Sequence, residues 1–451
     1  MTPSVYLPVE SRARELDARL LLTSHLVRNG APVIIGEQRL VFANLAFCPK
    51  GTVLLKGLNA IPAGYMAALT QHGYTCFACD EEALGISGSA LMERDITPSV
   101  GADCDLIFAQ SAFHRDVIMQ RTGASEAKVV VVGNSRFDLL QPSMRALHDR
   151  EAADIHAEHG DFVLFNTNVG FVHSSWGNLK RHEKTLRKIG WLNNSEPQSF
   201  ELHNAAVRLD YFNYDVTCRT VRDLAARNPN LKIIVRPHPA EHTEAWGDEF
   251  LGIDNVLIKR DGDHIAMILA SRLVLHTGCT TGIEAMLLDR PVLTVRAEQE
   301  DLGQWRWFAS NLLNPMALGA AEAVERVEAF LSDCVDLELE RPDERAAARY
   351  LHLASFDGNN VTEFIADTIL KRISDQALQE EPFKWSPTAP KKMQWSVPLE
   401  DYTKRKMSIK YGEIVDRYRE LQSCISDATP TLVQQIGDSV FLFERSRINP
   451  R

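Results

Sequence analysis

An α/β fold in two halves of similar size is what this sequence predicts, and three observations predict it. Short β-branched runs alternate with helical stretches through most of the chain. The alternation restarts after a join near Arg145–Gly160. The chain has 451 residues, room for several domains at about 150 residues each.

Composition narrows the function classes. Apolar residues make up 45% and charged residues 24%, the ordinary globular mix, which excludes wholesale disorder and fibrous architectures. The net charge of −11 argues against a nucleic-acid partner, which needs a basic footprint to release counterions. No apolar run approaches the roughly 18 residues that cross a bilayer. The opening MTPSVYLPVE has neither a basic nor an apolar signal region. A cytoplasmic chain is therefore expected, its eight cysteines reduced thiols.

In the first half, strands are predicted at Ser4–Val9, Pro32–Gly36, Thr52–Lys56, Thr75–Cys79, Asp105–Ala109 and Val129–Val132. A helix over Ser11–Arg28 places Leu16, Leu20, Leu21 and Val27 on one face. A second follows Ala60 and ends near Gly73, and a third runs from Ala112 to a stop at Gly123. In the second half, strands are predicted at Phe162–Asn166, Lys232–Arg236, Asn255–Lys259, Leu273–Leu275 and Pro291–Val295. Helices fit Phe200–Arg227, His264–Ser271, Thr280–Leu288 and Ala320–Leu331, with two more over Asp343–Asp375 broken at Asp357-Gly358. Together these give two Rossmann-like domains facing a cleft. Val169–Pro197 is polar and aperiodic and reads as an insertion loop. From Glu380 the chain turns basic and proline-rich, with Trp385 and Trp395 among Lys384, Lys391, Lys392, Lys404, Arg405, Lys406 and Lys410.

Ligands of open α/β sheets bind beyond the carboxyl ends of strands. There the sequence places Arg236-Pro237-His238-Pro239, whose prolines stiffen the backbone and project His238 towards an anion. The alternative is a stiff turn with a surface histidine. Some forty residues on, Leu273-Val274-Leu275-His276-Thr277-Gly278-Cys279-Thr280-Thr281-Gly282-Ile283-Glu284 reads as strand, turn and helix. The helix start at Thr280 or Thr281 offers free N–H groups to a phosphate, and Glu284 can reach ribose hydroxyls. Thr281 and Glu284 also have capping-box spacing, which leaves a purely structural reading open. Asn166 and Thr167 end the first strand of the second half and are expected to face the cleft.

In the first half, Cys79-Asp80-Glu81-Glu82 ends a strand in three carboxylates, which suits a general base because clustered carboxylates raise one another's pKa. An acidic helix start is the alternative. Glu10 and Glu15 form a second carboxylate candidate, with Arg14 beside them to hold an acidic sugar or an ion pair. Gly133-Asn134-Ser135-Arg136 is a turn that can approach a donor phosphate, or simply a good turn. Cys76 and Cys79 read as core. No metal motif stands out.

The RPHP tetrapeptide followed by the strand–turn–helix at Thr277–Met286 resembles the nucleotide-binding half of bacterial GT-B enzymes that build surface polysaccharides. These include capsule Kdo transferases, polysialyltransferases and the CDP-glycerol polymerases of teichoic acid synthesis. Val5-Tyr6-Leu7-Pro8-Val9-Glu10, Arg14-Glu15-Leu16, Leu20-Leu21-Leu22, Ile35-Gly36, Lys56 and Asp80-Glu81-Glu82 resemble the bacterial surface carbohydrate biosynthesis protein family. The likeness covers roughly residues 4–375. It implies an acceptor and catalytic-base domain over 1–155, a nucleotide-donor domain over 156–340, and helices with a basic tail over 341–451 that cross back to the first domain.

The resemblance also implies a glycosyltransferase that needs no cofactor beyond its nucleotide-sugar donor, a CMP-linked ulosonic acid being the first choice. The acceptor is a glycan, lipid-linked by the same resemblance. Expected catalytic residues are Asp80, Glu81, Glu82, Glu10 and His238. Expected donor-binding residues are Arg236, His238, Pro239, His276, Thr280, Thr281, Glu284, Gly133, Asn134 and Asn166. The acidic motif departs from that of bacterial sialyltransferases, because Gly85 follows three residues after Glu82. A CDP-polyol phosphotransferase, a phosphoribosyltransferase and a non-catalytic nucleotide-sugar-binding subunit remain open. The basic tail has two readings: a wrap over the first domain, or a peripheral contact with anionic lipid at the inner membrane.

Overall fold

The computed structural model describes residues 3–45, 48–81, 83–175, 177–188, 191–299, 303–337, 342–354, 360–377 and 408–446. Glu82, the break at Asp357-Gly358 and the tail's Lys384, Trp385, Lys391, Lys392, Trp395, Lys404, Arg405 and Lys406 lie outside the described residues.

In chain order the elements are β1 Ser4–Val9, α1 Arg12–Arg28, β2 Val33–Glu37, α2 Gln38–Asn44, β3 Gly51–Lys56, α3 Ala60–Gln71, β4 Thr75–Cys79, α4 Ser89–Arg94, α5 Val100–Asp103, β5 Leu106–Ala109, α6 Ala112–Thr122, β6 Val129–Val131 and α7 Ala146–His159. They continue with β7 Phe162–Asn166, α8 Leu179–Lys188, α9 Gln198–Arg227, β8 Lys232–Arg236, α10 Thr243–Glu249, β9 Val256–Ile258, α11 His264–Ala270, β10 Leu273–His276, α12 Thr281–Leu287, β11 Val292–Arg296, α13 Ala309–Leu313, β12 Met316–Leu318, α14 Gly319–Leu331, α15 Pro342–His352, α16 Val361–Ala377, α17 Tyr411–Ser423, β13 Thr431–Gly437 and β14 Val440–Arg445. No helix among the described residues is long and apolar enough to cross a membrane.

Two Rossmann-like units result. The first comprises 1–84, 95–147 and 353–451, the second 85–94 and 148–352. The first unit's sheet has the order β13-β14-β2-β1-β3-β4-β5-β6, parallel from β2 to β6. Strand β14 joins antiparallel to β2, and β13 antiparallel to β14. The second unit's sheet, β12-β11-β10-β7-β8-β9, is parallel throughout. Parallel strands covered on both faces read as unbroken apolar runs, which is why β1 and β7 are buried at every residue.

Local chemistry sets several helix ends. The Ser111 side chain accepts from the His114 N–H at the start of α6, and Gly123 closes that helix in the left-handed region at φ 67°. Helix α1 has no side-chain cap from Ser11. Instead Glu15 reaches back to accept the N–H groups of Glu10 and Ser11 at 3.0 and 3.1 Å.

Helix α7 occupies the join near 145–160. Two sequence readings are corrected. The aperiodic stretch 169–197 contains α8, whose LKRHEKTLRK pattern has two apolar residues and so no stripe to read. Strands β12, β13 and β14 were not legible: β12 has three residues, and β13 and β14 follow the basic tail.

The last part of the chain builds the first unit's core. Val361, Ile365, Ile369 and Ile373 of α16, Ile414, Tyr418 and Leu421 of α17, and Phe441 and Phe443 of β14 are buried with Leu20, Val33 and Ile35. Gly36 allows β14 to pair, since a Cβ there would lie 2.2 Å from the Ser439 carbonyl oxygen. Asp138 caps α16 from outside, its carboxylate accepting the N–H of Val361 at 3.2 Å and both the N–H and hydroxyl of Thr362 at 2.6 Å.

Candidate functional site

In each unit the strand order reverses beside its first strand, between β1 and β3 and between β7 and β10. The carboxyl ends of strands at such a switch point are where open α/β sheets bind ligands. In the second unit, parallel register aligns Arg236 with Asn166, Asn166 with His276 and His276 with Thr294. One row of side chains therefore crosses the four central strands at this edge. Asn168 spans the switch point, its amide donating to the Gly278 carbonyl at 3.1 Å.

His238 is held by a buried network. Its backbone N–H donates to the Thr167 hydroxyl at 3.2 Å, and that hydroxyl donates to Glu241 at 2.5 Å. Glu241 is fully buried and also accepts from the Val169 N–H at 2.6 Å and the Trp246 indole at 2.8 Å. Burial pushes its proton affinity up against the opposing pull of these hydrogen bonds. The Ala240 N–H donates to His238 Nδ1 at 3.2 Å. In the neutral ring the proton therefore sits on Nε2, a donor. Pro237 is buried and Pro239 exposed.

Three buried polar atoms at the same edge have no hydrogen-bond partner among the described residues: Arg236 Nε, Asn166 Nδ2 and Thr277 Oγ1. Native interiors pair nearly all such groups, and an orphan calls for a ligand or other explanation. Burial also pulls Arg236 down from the ordinary guanidinium value.

His276 is different from its expected part. It is fully buried, Nδ1 accepting from the Gly278 N–H at 3.1 Å and Nε2 meeting the Thr294 hydroxyl at 3.2 Å and the Asn314 amide at 3.1 Å. Burial lowers its pKa to about 3, so the ring is neutral and shapes the turn from inside. Gly282 lies against it, where a Cβ would come within 2.3 Å of Nε2.

The capping box of Thr281 and Glu284 that the purely structural reading needs is not built. Thr280 is the N-cap and makes no side-chain cap, which puts Glu284 four residues into a seven-residue helix. Glu284 is buried and lies 3.2 Å from His264 Nε2. Thr280 packs on Gly85, whose φ is 84° and where a Cβ would lie 2.4 Å from the threonine methyl, so only glycine fits. The glycine that ends the acidic motif thus serves the second unit.

Helix α9 brings a carboxylate that sequence reasoning missed. Asp210 accepts the Phe171 N–H at 2.8 Å, and Asn213 one turn on donates to the Thr277 carbonyl at 3.2 Å. Burial raises Asp210 to about 8, with the charge of Glu241 adding to it and the Phe171 hydrogen bond opposing. A raised folded-state value means a stability contribution complete in acid and lost as pH rises through about 8. Asp210→Asn keeps the acceptor and cannot ionise. Its urea midpoint is expected to gain on that of wild type as pH is raised from the ordinary carboxylate value of 3.8 to about 8, and to gain no further above it; parallel pH profiles would refute the assignment.

The first unit's edge gathers Glu10, Glu15, Lys56, Asp80, Glu81 and Asn134. Lys56, with a side chain only 6% exposed, lies 3.2 Å from both Glu10 and Glu15. Asp80 is buried 3.4 Å from His114 Nε2. His114 Nδ1 accepts the Gln110 N–H at 3.1 Å, which in the neutral ring leaves the proton on Nε2, an atom with no hydrogen-bond partner among the described residues. Gln110 also donates to the Asp80 carbonyl at 2.5 Å. Glu81 is buried with no cation in ion-pairing distance among the described residues, and its carboxylate accepts from the Asn134 amide at 3.5 Å. Asn134 otherwise caps a 3-10 turn over Ser135–Leu140 by accepting from the Arg136 N–H at 2.8 Å. Gly133, at φ 95°, lets Ala354 pass, since a Cβ would lie 2.8 Å from its carbonyl oxygen. Gly133 and Asn134, expected with the donor group, therefore belong to the other unit. Arg14 is exposed. Cys76 and Cys79 are buried thiols, and no group of three or more metal-ligating side chains occurs among the described residues.

No protein-family model matches the chain, and no curated protein does. Solved structures do. The wall teichoic acid polymerase TagF is similar over 84% of this chain and 90% of its own, at 10% identity and a TM-score of 0.50. The UDP-GlcNAc 2-epimerase from Neisseria meningitidis bound to UDP-GlcNAc is similar over 82% of this chain and 100% of its own, at 13% identity and a TM-score of 0.50. At these identities the likeness is one of fold, and it places the chain in the GT-B class of paired Rossmann-like units.

Proposed function

We propose that the chain is a glycosyltransferase of surface-glycan assembly, whose second unit binds a nucleotide-activated sugar and whose first supplies the base. The observation that carries this reading is the trio of unpartnered buried atoms at the carboxyl edge of the second sheet, Arg236 Nε, Asn166 Nδ2 and Thr277 Oγ1. A donor set of this kind suits a phosphate ester. Glu284 is assigned to the ribose. Two similar folds give the reading context: one belongs to a teichoic acid polymerase, the other holds a nucleotide sugar.

In the proposed reaction an acceptor hydroxyl attacks the anomeric carbon, the new C–O bond forms, and the bond to the donor phosphate breaks. Glu81 takes the hydroxyl proton. It is favoured over Asp80, buried 3.4 Å from His114 Nε2, and over Glu10, which pairs with Lys56, because Glu81 has no cation in ion-pairing distance among the described residues. His238 and Arg236 stabilise the charge that appears on the departing phosphate. The sequence resemblance makes a CMP-linked ulosonic acid the first choice of donor.

A thermal-shift panel of CMP, CDP, UDP and GDP tests this directly, since a nucleotide that binds the folded chain raises its melting temperature. CMP is expected to give the largest rise, and Arg236→Gln to abolish it. A larger response to CDP would favour polyol-phosphate transfer at the same site. Silence towards all four would remove the nucleotide reading.

A further inference from the structure

Helix α1 carries a charge that the proposed reaction does not use. Arg19 is 4% exposed, and its Nε and Nη2 are buried with no hydrogen-bond partner. A guanidinium stays charged in proteins, and an unpaired buried charge is among the costliest features a fold can hold. Its natural partner would be Glu15, one turn earlier on the same helix. Both Glu15 oxygens are already taken, one by Lys56 and the Ser11 N–H, the other by the Glu10 N–H. No other carboxylate among the described residues comes within ion-pairing distance.

The position is informative. Arg19 lies close enough to the end of β4 that its charge acts on the Cys79 thiol, opposing those of Glu81 and Asp80. Helix α1 packs against the 3-10 turn Ser135–Leu140, whose cap Asn134 has its amide 3.5 Å from Glu81. The unpartnered atoms, Nε and Nη2, form the edge that grips a carboxylate or phosphate through two parallel hydrogen bonds.

We infer that Arg19 is the clamp of an anion subsite in the first unit, taking a carboxylate or phosphoryl group of the substrate bound there. This deepens the reading above, and rests on it only in calling that substrate the acceptor. An anionic group would pair the guanidinium and hold a neighbouring hydroxyl by Glu81.

The test uses the full-length chain carrying Arg236→Gln, the change expected to abolish nucleotide binding at the second unit's phosphate site. Melting temperature is followed against inorganic phosphate and, separately, glucuronate at constant ionic strength. A rise with phosphate identifies a phosphoryl group, and a rise with glucuronate a carboxylate. Arg19→Met is expected to abolish the response and, by removing the unpaired charge, to melt higher than its parent without anion. Arg19→Lys keeps the charge without the fork and is expected to need roughly tenfold more anion. It decides the matter if Arg19→Met does not fold. No response in the parent to either anion, or an unchanged response in the Arg19 variants, overturns the subsite. The nucleotide panel, read in the wild-type chain, stands or falls independently.

Discussion

His238→Ala is expected to lower transfer by about 10²–10³-fold, the usual cost of removing one donor aimed at charge that develops in the transition state. The ring is oriented by protein it does not share with solvent. Ala240 takes Nδ1, Thr167 takes the backbone N–H, and buried Glu241 ties both loops to Trp246. Those contacts use the backbone and Nδ1, so the alanine variant keeps most of the scaffold and its melting temperature is expected to stay close to wild type. His238→Gln can return an N–H near the Nε2 position and should recover part of the loss. Release of the nucleotide selected by the thermal-shift panel is the readout. Near-normal turnover in a folded His238→Ala chain would remove His238 from the chemistry and leave RPHP as a stiff turn.

The second large effect is expected at the acidic edge of the first unit. Glu81→Gln preserves size and hydrogen bonding but removes basicity, and should cost about 10²–10⁴-fold in rate, the contribution of a positioned general base. Donor affinity is expected to be unchanged, the mark of an interaction made only in the chemical step. Asp80→Asn should behave differently. Asp80 is buried 3.4 Å from His114 Nε2, so an amide there sets a second donor against that ring nitrogen and lowers the melting temperature first. If Asp80→Asn instead loses rate while Glu81→Gln keeps it, the Asp80–His114 pair is the base. Full activity in both would move the role to Glu10, whose partner Lys56 would then tune it.

Much of the architecture was legible because it is local. Strands β1, β4, β7 and β8 have the bounds the apolar runs indicate, since a parallel strand buried on both faces must be apolar throughout. Glycine at a helix end, as at Gly123, reads directly as a stop. The RPHP strand end and the Thr277–Gly278 turn stand out for the same reason: proline and glycine declare backbone conformation wherever they occur.

What escaped the sequence is what depends on partners far along the chain. His114 reads as an ordinary helical residue until the fold sets it against Asp80, and Glu241 as a loop acid until Thr167 and Trp246 close on it. His276 sits at a strand end where a ligand residue belongs, yet burial and the pairing of both ring nitrogens make it a neutral spacer. The place of β14 beside β2 depends on a contact between Gly36 and Ser439, which no local period encodes.

The sequence by itself therefore determined the α/β class, most strand positions and the strand ends from which the candidate residues project, because hydrophobic period and backbone stiffness are written residue by residue. The tertiary structure alone decided which strands are neighbours, which polar groups are paired and which are left over. Arg19 shows why: its significance lies in the carboxylate oxygens already claimed by Lys56 and two backbone N–H groups, and competition for a partner exists only once the chain has folded.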